Sequence, residues 1–228
     1  MKKICFTIIV LMALSGCASV QGWKYTAEPK IYKKQDLNLT IAVPSLRDER
    51  INENNAFKAS GWLALIPLVP YSTQSEFNVP EASPFLNFKP TEDFSKAITE
   101  ELQNSSIFKE VYYSDRTKDA DLILSGTLKE SHIKKSWTFY GLSLPGDLLW
   151  LFGAPTGWVN NDIVIEYKLM DQNYKIYFEK TYTANVEFYN RYWTNPHEIF
   201  RFESTLKKIS LELVDDIKAI IQQLPKNL

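Results

Sequence analysis

The sequence is poor in the residues that carry most enzyme chemistry. It has two cysteines, Cys5 and Cys17, and two histidines, His132 and His197, too few and too scattered for metal-ligand spacing. None of its glycines forms a loop that could cradle phosphate. Ser131-His132-Ile133-Lys134 and Ser204-Thr205-Leu206-Lys207 fit the loose nucleophile pattern S-x-x-K, but no K-T-G accompanies them. Ser114-Asp115-Arg116 is the nearest approach to S-D-N, and Gly141-Leu142-Ser143-Leu144-Pro145 departs from G-x-S-x-G. The expectation is a chain with no catalytic residue, no metal and no cofactor. A surplus of positive charge is missing as well. Lys and Arg number 26 against 27 Asp and Glu, which offers no electrostatic footprint for nucleic acid.

What is present begins at the N-terminus. Lys2 and Lys3 precede an almost unbroken apolar run over 4–14, far shorter than the roughly 20 residues of a bilayer-spanning helix. This pattern reads as an export signal. The run ends in Leu14-Ser15-Gly16-Cys17, small residues set directly before a cysteine, which resembles the lipobox of bacterial lipoproteins. The resemblance implies that residues 1–16 are a signal peptide and that Cys17 is the first mature residue. Its thiol would carry diacylglycerol and its freed amine a third acyl chain such as palmitate. Each buried methylene contributes about 0.8 kcal/mol, and more than one chain makes the anchoring stable. The residues that follow are Ala18 and Ser19, not the Asp that retains such proteins in the inner membrane. The expected address is therefore the outer membrane, facing the periplasm. With Cys5 removed and Cys17 acylated, no disulfide remains within one chain, so the fold must rest on its core.

Aromatic residues, 6 Trp, 12 Tyr and 13 Phe, supply enough bulk for that core. Residues 17–36 are polar and without period, and read as lipid anchor and tether. From 37 to 228 the pattern is that of a single α+β domain. Leu39, Ile41 and Val43 alternate as a strand, followed by a polar loop containing Asp48-Glu49-Arg50. Thr91 is the expected N-cap of a helix with Glu92 and Asp93 in its first turn and Phe94, Ala97, Ile98 and Leu102 on one face. Phe108, Val111 and Tyr113 predict a short strand, and Leu122, Leu124 and Leu128 a central one. Ile163 to Leu169 and about 175–188 predict a long hairpin. The last helix opens on Asn195, Pro196 and Glu198 and carries a stripe from Ile199 through Phe202, Leu206, Ile209, Leu213, Ile217 and Ile220 to Leu224. The fold class expected is α+β: a mixed β-sheet with two main helices packed on one face.

Two apolar segments stand outside this scheme, at about 56–80 and 139–158. The first contains Gly61 to Tyr71, the second Leu148-Leu149-Trp150-Leu151-Phe152. Neither is a membrane span, since one is short and the other is broken by Pro145, Gly146, Asp147, Gly153 and Pro155. Three readings stand. The segments extend the core, or form a surface for a protein partner or a second copy, or dip into lipid near the anchor. On the second reading the surface residues are Trp62, Leu65, Leu149, Trp150, Phe152 and Trp158.

A wider resemblance rests on three stretches: the Leu39–Val43 strand with its Asp48/Arg50 loop; Leu102-Gln103-Asn104-Ser105-Ser106-Ile107-Phe108-Lys109-Glu110-Val111; and Ala120-Asp121-Leu122-Ile123-Leu124-Ser125-Gly126-Thr127-Leu128. Together, over about 37–130, these resemble the small periplasmic lipoproteins related to the curli secretion lipoprotein, the penicillin-binding-protein activator and the auxiliary lipoproteins of ABC transporters. The resemblance implies a non-catalytic protein-binding or assembly component of the cell envelope, working with an envelope protein partner or by self-association. A carrier or sensor for a lipid or other hydrophobic ligand is the alternative.

Overall fold

Alternation of apolar and polar residues over Leu37–Val43 makes β1, whose Ile41 and Val43 turn fully into the core. The structure, a computed structural model, describes residues 23, 25–27, 37–51, 55–59, 70–78, 88–140, 148–191 and 202–223. After β1 come β2 (Arg47–Asp48), β3 (Asn55–Ala59), β4 (Pro70–Asn78), α1 (Pro90–Ser105), β5 (Phe108–Tyr113), β6 (Leu122–Tyr140), β7 (Pro155–Asp171), β8 (Ile176–Arg191) and α2 (Phe202–Ile221). The class is α+β, as expected: one mixed sheet with α1 and α2 packed over its core-facing side.

The sheet is organised around β6. Its first residues, Leu122 and Ile123, pair in parallel with Ile41 and Ala42 of β1, and β1 pairs in parallel with β5 beyond. Along the same edge, Thr127 and Leu128 take β2, and His132 to Tyr140 take β4 antiparallel, with β3 outside it. The other edge of β6 is occupied by β7 from Asp171 to Gly157, and β7 is lined in turn by β8. Asp121 fixes the start of β6 beside β1: its carboxylate accepts from the Thr40 N–H at 2.7 Å and the Thr40 hydroxyl at 2.8 Å.

A bulge interrupts β6. Leu128 faces Ile165 but Glu130 faces Val164, so Lys129 is an extra residue. A single inserted residue exchanges the two faces of a strand. Before the bulge the even residues Leu122, Leu124 and Leu128 are buried; after it the odd residues Ser131 and Ile133 take their place. They share that side with Val159, Ile163, Ile165, Tyr167 and Leu169 of β7 and with Tyr182 and Ala184 of β8.

α1 begins two residues earlier than its sequence suggests. Lys89, not Thr91, occupies the N-cap, and Pro90 sits in the first turn, where its missing N–H costs nothing. Thr91 is turned inward and buried, and Asp93 accepts from the Lys89 N–H at 2.8 Å. Phe94, Ala97, Ile98 and Leu102 form the buried face, each worth about 1.5–3 kcal/mol for the larger side chains. The helix stops at Ser106, which adopts the left-handed conformation with φ of 53°. α2 buries Phe202, Leu206, Ile209, Leu213 and Ile217 in the stripe read from the sequence. Asn195, Pro196, Glu198, Ile199 and Leu224 lie outside the described residues.

Two further differences matter. Most of the described parts of the apolar segments are strands of the main sheet rather than excursions from it: β3 and β4 in one case, the end of β6 and the start of β7, joined through a helical turn, in the other. And part of the expected tether is folded. Tyr25 is buried between the helices, its hydroxyl donating to Glu101 Oε1 at 2.7 Å and lying 3.1 Å from Ser210 Oγ. Trp23 packs on Phe88 and Phe94, with ring centres 5.2 and 6.1 Å apart.

The β6–β7 contact is tightest at Gly157, where a Cβ would overlap the Ser136 carbonyl oxygen. Backbone, not a movable side chain, is in the way, so Gly157→Ala should cost about 1–3 kcal/mol. Urea unfolding of the variant against the parent measures this. Equal midpoints would mean that the two strands are not held as described.

Candidate functional site

The large side chains left exposed gather mostly at one end of the sheet. β6 ends at Tyr140 and β7 starts at Pro155, and the described part of their connection is a helical turn over 148–151. The turn closes through bonds from the Phe152 and Ala154 N–H groups to the Leu149 carbonyl, at 3.1 and 3.0 Å, and from the Gly153 N–H to the Trp150 carbonyl. Gly153 has φ of +90°, a conformation that glycine adopts without penalty, and this lets the chain re-enter β7.

Trp150 folds back and locks the turn. Its indole Nε1 donates to the Thr138 carbonyl at 3.2 Å, and its ring stands 5.8 Å from that of Phe139. That inward commitment leaves its neighbours facing water. Phe152 is 85% exposed, Leu148 52% and Leu151 45%, and at the adjoining strand ends Tyr189 is 65% and Trp137 41% exposed. Tyr189 faces Trp158 across β7–β8, while Lys135 lies 4.1 Å over the Trp137 ring. Burial lowers the Lys135 pKa from its ordinary value.

Of the surface residues expected from sequence, the structure thus brings Leu149, Trp150, Phe152 and Trp158 to one end, with different parts to play. Phe152 is presented to solvent, whereas Leu149, Trp150 and Trp158 are half-buried supports. Trp62 and Leu65, and also Cys17, lie outside the described residues. The strand ends that flank 60–69 do reach this same end, since Pro70 pairs with Tyr140 and Ala59 with Thr73. Leu148, Leu151, Trp137 and Tyr189 were not singled out by sequence reasoning. The signal that could have found all but Tyr189 is the lack of charge: from Ser136 to Asn161, Asp147 is the only charged residue.

The sheet side away from the helices is different in kind. Lys129 meets Glu49 and Glu166, Lys168 bridges Glu166 and Glu179 at 3.0 and 2.8 Å, and Lys134 pairs with Asp162 at 3.0 Å. The Asp48-Glu49-Arg50 stretch, expected as a solvated loop, joins this network through β2. Arg50 makes two bonds to Asp48, at 2.8 and 2.7 Å, with a side chain only 7% exposed. Exposed pairs of this kind contribute little individually. The hydrogen bond from Arg50 holds the Asp48 pKa low, and those from Lys129 and Lys168 do the same for Glu49 and Glu166. At Asp216 burial pushes upward, but bonds from Lys180 and Tyr182 outweigh it, and the net shift is down. A general acid needs the opposite shift. Among the described residues no group of His, Cys, Asp and Glu could hold a metal ion, and no helix is long and apolar enough to cross a membrane.

These depressed carboxylates set the acid limit of the fold. Their stabilisation is fully present above the ordinary values of 3.8 for Asp and 4.5 for Glu, and is lost as pH falls through the lower folded-state values. Melting temperature should be level from about pH 7 down to 5 and fall below about pH 4. A level curve down to pH 2 would show that the pairs add nothing.

No family model matches the chain, and no curated protein does. Among solved structures it is similar to protein XCC0632 from Xanthomonas campestris, of the DUF330 family. That match has a TM-score of 0.52 and 15% identity, and covers 90% of this chain and 98% of that one. This is a likeness of fold. A second solved structure, of an uncharacterized protein, aligns over 87% of this chain and 99% of its own at 11% identity, but its TM-score of 0.35 carries no argument.

Proposed function

We propose that this chain is a lipid-anchored lipoprotein of the outer membrane that acts by contact in envelope assembly or transport, without catalysis. The observation that carries the reading is the exposed apolar end of the β6–β7 hairpin. Exposed apolar residues scattered singly are ordinary, but Leu148, Leu151 and Phe152 stand together in one turn, beside Trp137 and Tyr189 on the adjoining strands. Enzymes place such side chains around a concave cleft. Here they project from a hairpin tip. On the opposite side Glu49 and Glu166 support the same reading, because their lysine bonds lower the carboxyl pKa, the reverse of what proton donation requires. The lipobox-like Leu14-Ser15-Gly16-Cys17 supports the anchor. The resemblance over 37–130 supports the envelope role, and its residues have structural work here. Asp121 joins β6 to β1, and at Gly126 a Cβ would strike the side chains of Leu46 and Tyr167.

The anchor is tested by mass. The mature protein from an exporting bacterial host should carry three acyl chains on Cys17, and Cys17→Ser should abolish them and leave the uncleaved precursor. A mature wild-type protein of unmodified mass would rule out the anchor.

The contact surface is tested by charge. Phe152→Asp places a carboxylate on a side chain already in water, so melting should shift by no more than about 0.5 kcal/mol equivalent. Binding to the cognate surface, read by self-association in sedimentation, by cross-linking in cells and by vesicle retention, should weaken at least tenfold. Undiminished binding in all three assays would remove this end from the function.

A further inference from the structure

The position of Trp23 says what the apolar end touches. α2 runs back along β8. Near one end of the pair Lys180 Nζ meets Glu212 and Asp216, both at 2.7 Å, and further along Lys208 Nζ donates to the Asn185 carbonyl at 2.9 Å. From Lys208 to Phe202 is about 9 Å of helix. That equals roughly three strand residues, which brings Phe202 level with Phe188. Trp23 packs on Phe88 and Phe94, and both of those rings pack on Phe202, at 6.0 and 5.9 Å. Trp23 is therefore held toward the end of β8 at Arg191, which pairs with Pro155 at the base of the apolar turn.

Trp23 is six Cα steps from Cys17, a reach of at most about 20 Å even when fully extended. The apolar turn is about 10 Å of strand beyond the level of Phe202, one ring removed from Trp23, whereas the opposite end of β8, at Ile176, is about 40 Å the other way. A lipid on Cys17 can enter a bilayer lying against the apolar end. It cannot enter one at the Asp171–Ile176 turn.

We infer that the end formed by Leu148, Leu151 and Phe152, with Trp137 and Tyr189 behind them, inserts into the acyl region of the bilayer that holds Cys17. The inference rests on the acylation proposed above and names the occupant of the same surface. Its layering matches a lipid interface: aliphatic and phenyl groups foremost, then Trp137 and Tyr189, then Lys135 at headgroup depth, while Arg191, opposite Pro155 at the base of the turn, has a stem long enough to reach the headgroups. A protein partner could accept the same apolar groups, but only the membrane is guaranteed to lie within reach of a tether this short.

The acylated mature chain has no free thiol, because Cys5 leaves with the signal and Cys17 is a thioether. Phe152→Cys and Tyr174→Cys, at opposite ends, therefore each accept one environment-sensitive fluorophore. The full-length lipoprotein, acylated in cells, is reconstituted in phosphatidylethanolamine–phosphatidylglycerol vesicles, and its acyl mass and melting are checked. The label at 152 should shift to the blue, be quenched about twofold or more by lipids spin-labelled along the acyl chain, and resist aqueous iodide. The label at 174 should behave oppositely. Leu148→Cys repeats the measurement should the change at 152 disturb the turn. A label at 152 open to iodide on protein that is acylated and bound to vesicles overturns the inference and leaves the anchor standing. A label shielded from iodide yet untouched by the lipid quencher overturns it in favour of a protein occupant. Missing acyl mass removes both.

Discussion

Both edges of β6 are hydrogen-bonded along much of its length, and almost every other element is placed by reference to it. The pairing with β1 through Leu122 and Ile123 brings in the parallel β1–β5 pair, over which α1 packs. The antiparallel pairing with β7 brings in β8, over which α2 packs. The distal part of β6 carries the β3–β4 pair. A strand loaded on both sides cannot slide without breaking all of these contacts, so one register decides the whole sheet. The bulge at Lys129 adjusts that register at a single point. It also supplies the cation that binds Glu49 and Glu166, which draws the residues after β1 onto the sheet.

The result is a molecule whose two ends differ. Where α1 and α2 cover the sheet, the core is closed by fully buried aromatic and aliphatic groups, among them Phe94, Ile98, Tyr167, Tyr182, Phe202 and Leu213. Tyr25 belongs to this core, and Trp23 packs against it. Tyr25 reaches between the helices to Glu101 and Ser210, so the folded unit starts close behind Cys17 rather than at β1. Toward the β6–β7 turn the same strands continue and the exposed side chains become apolar. Where the open side of the sheet is charged, lysine and carboxylate alternate across neighbouring strands. This keeps that side hydrated and discourages sheet-to-sheet association.

The class, the helical faces and the first strands could be read from sequence because each has a clean period and a clear stop. Phe94, Ala97, Ile98 and Leu102 recur at helical spacing, and Ser106 ends the helix in the left-handed conformation. β6 was legible only as far as Leu128. Beyond it the extra residue Lys129 resets the alternation, so Ser131-His132-Ile133-Lys134-Lys135 looks polar and aperiodic although Ile133 is wholly buried. The start of β7 was hidden for another reason. Pro155 reads as a break in the apolar segment, yet β7 starts on it, and Gly157 is there because the Ser136 backbone passes too close for any side chain. At the candidate site, composition pointed to the right segment but could not rank its members. Trp150, the most conspicuous residue in the sequence, turns inward to Thr138, and Phe152 beside it takes the solvent position.

The part of β6, β7 and β8 that extends past Phe202 has a geometric freedom that the core lacks. Adding or removing residues there changes how far the hairpin turn stands from the helices, by about 3.3 Å for each residue in a strand. Changes in twos keep every side chain on its own side; a change of one exchanges the sides, as Lys129 already does once. Length in this arm can therefore vary in steps of about 7 Å while α1, α2 and the core between them stay as they are. The arm is in effect a ruler, and its graduation is the pleat of the β-strand.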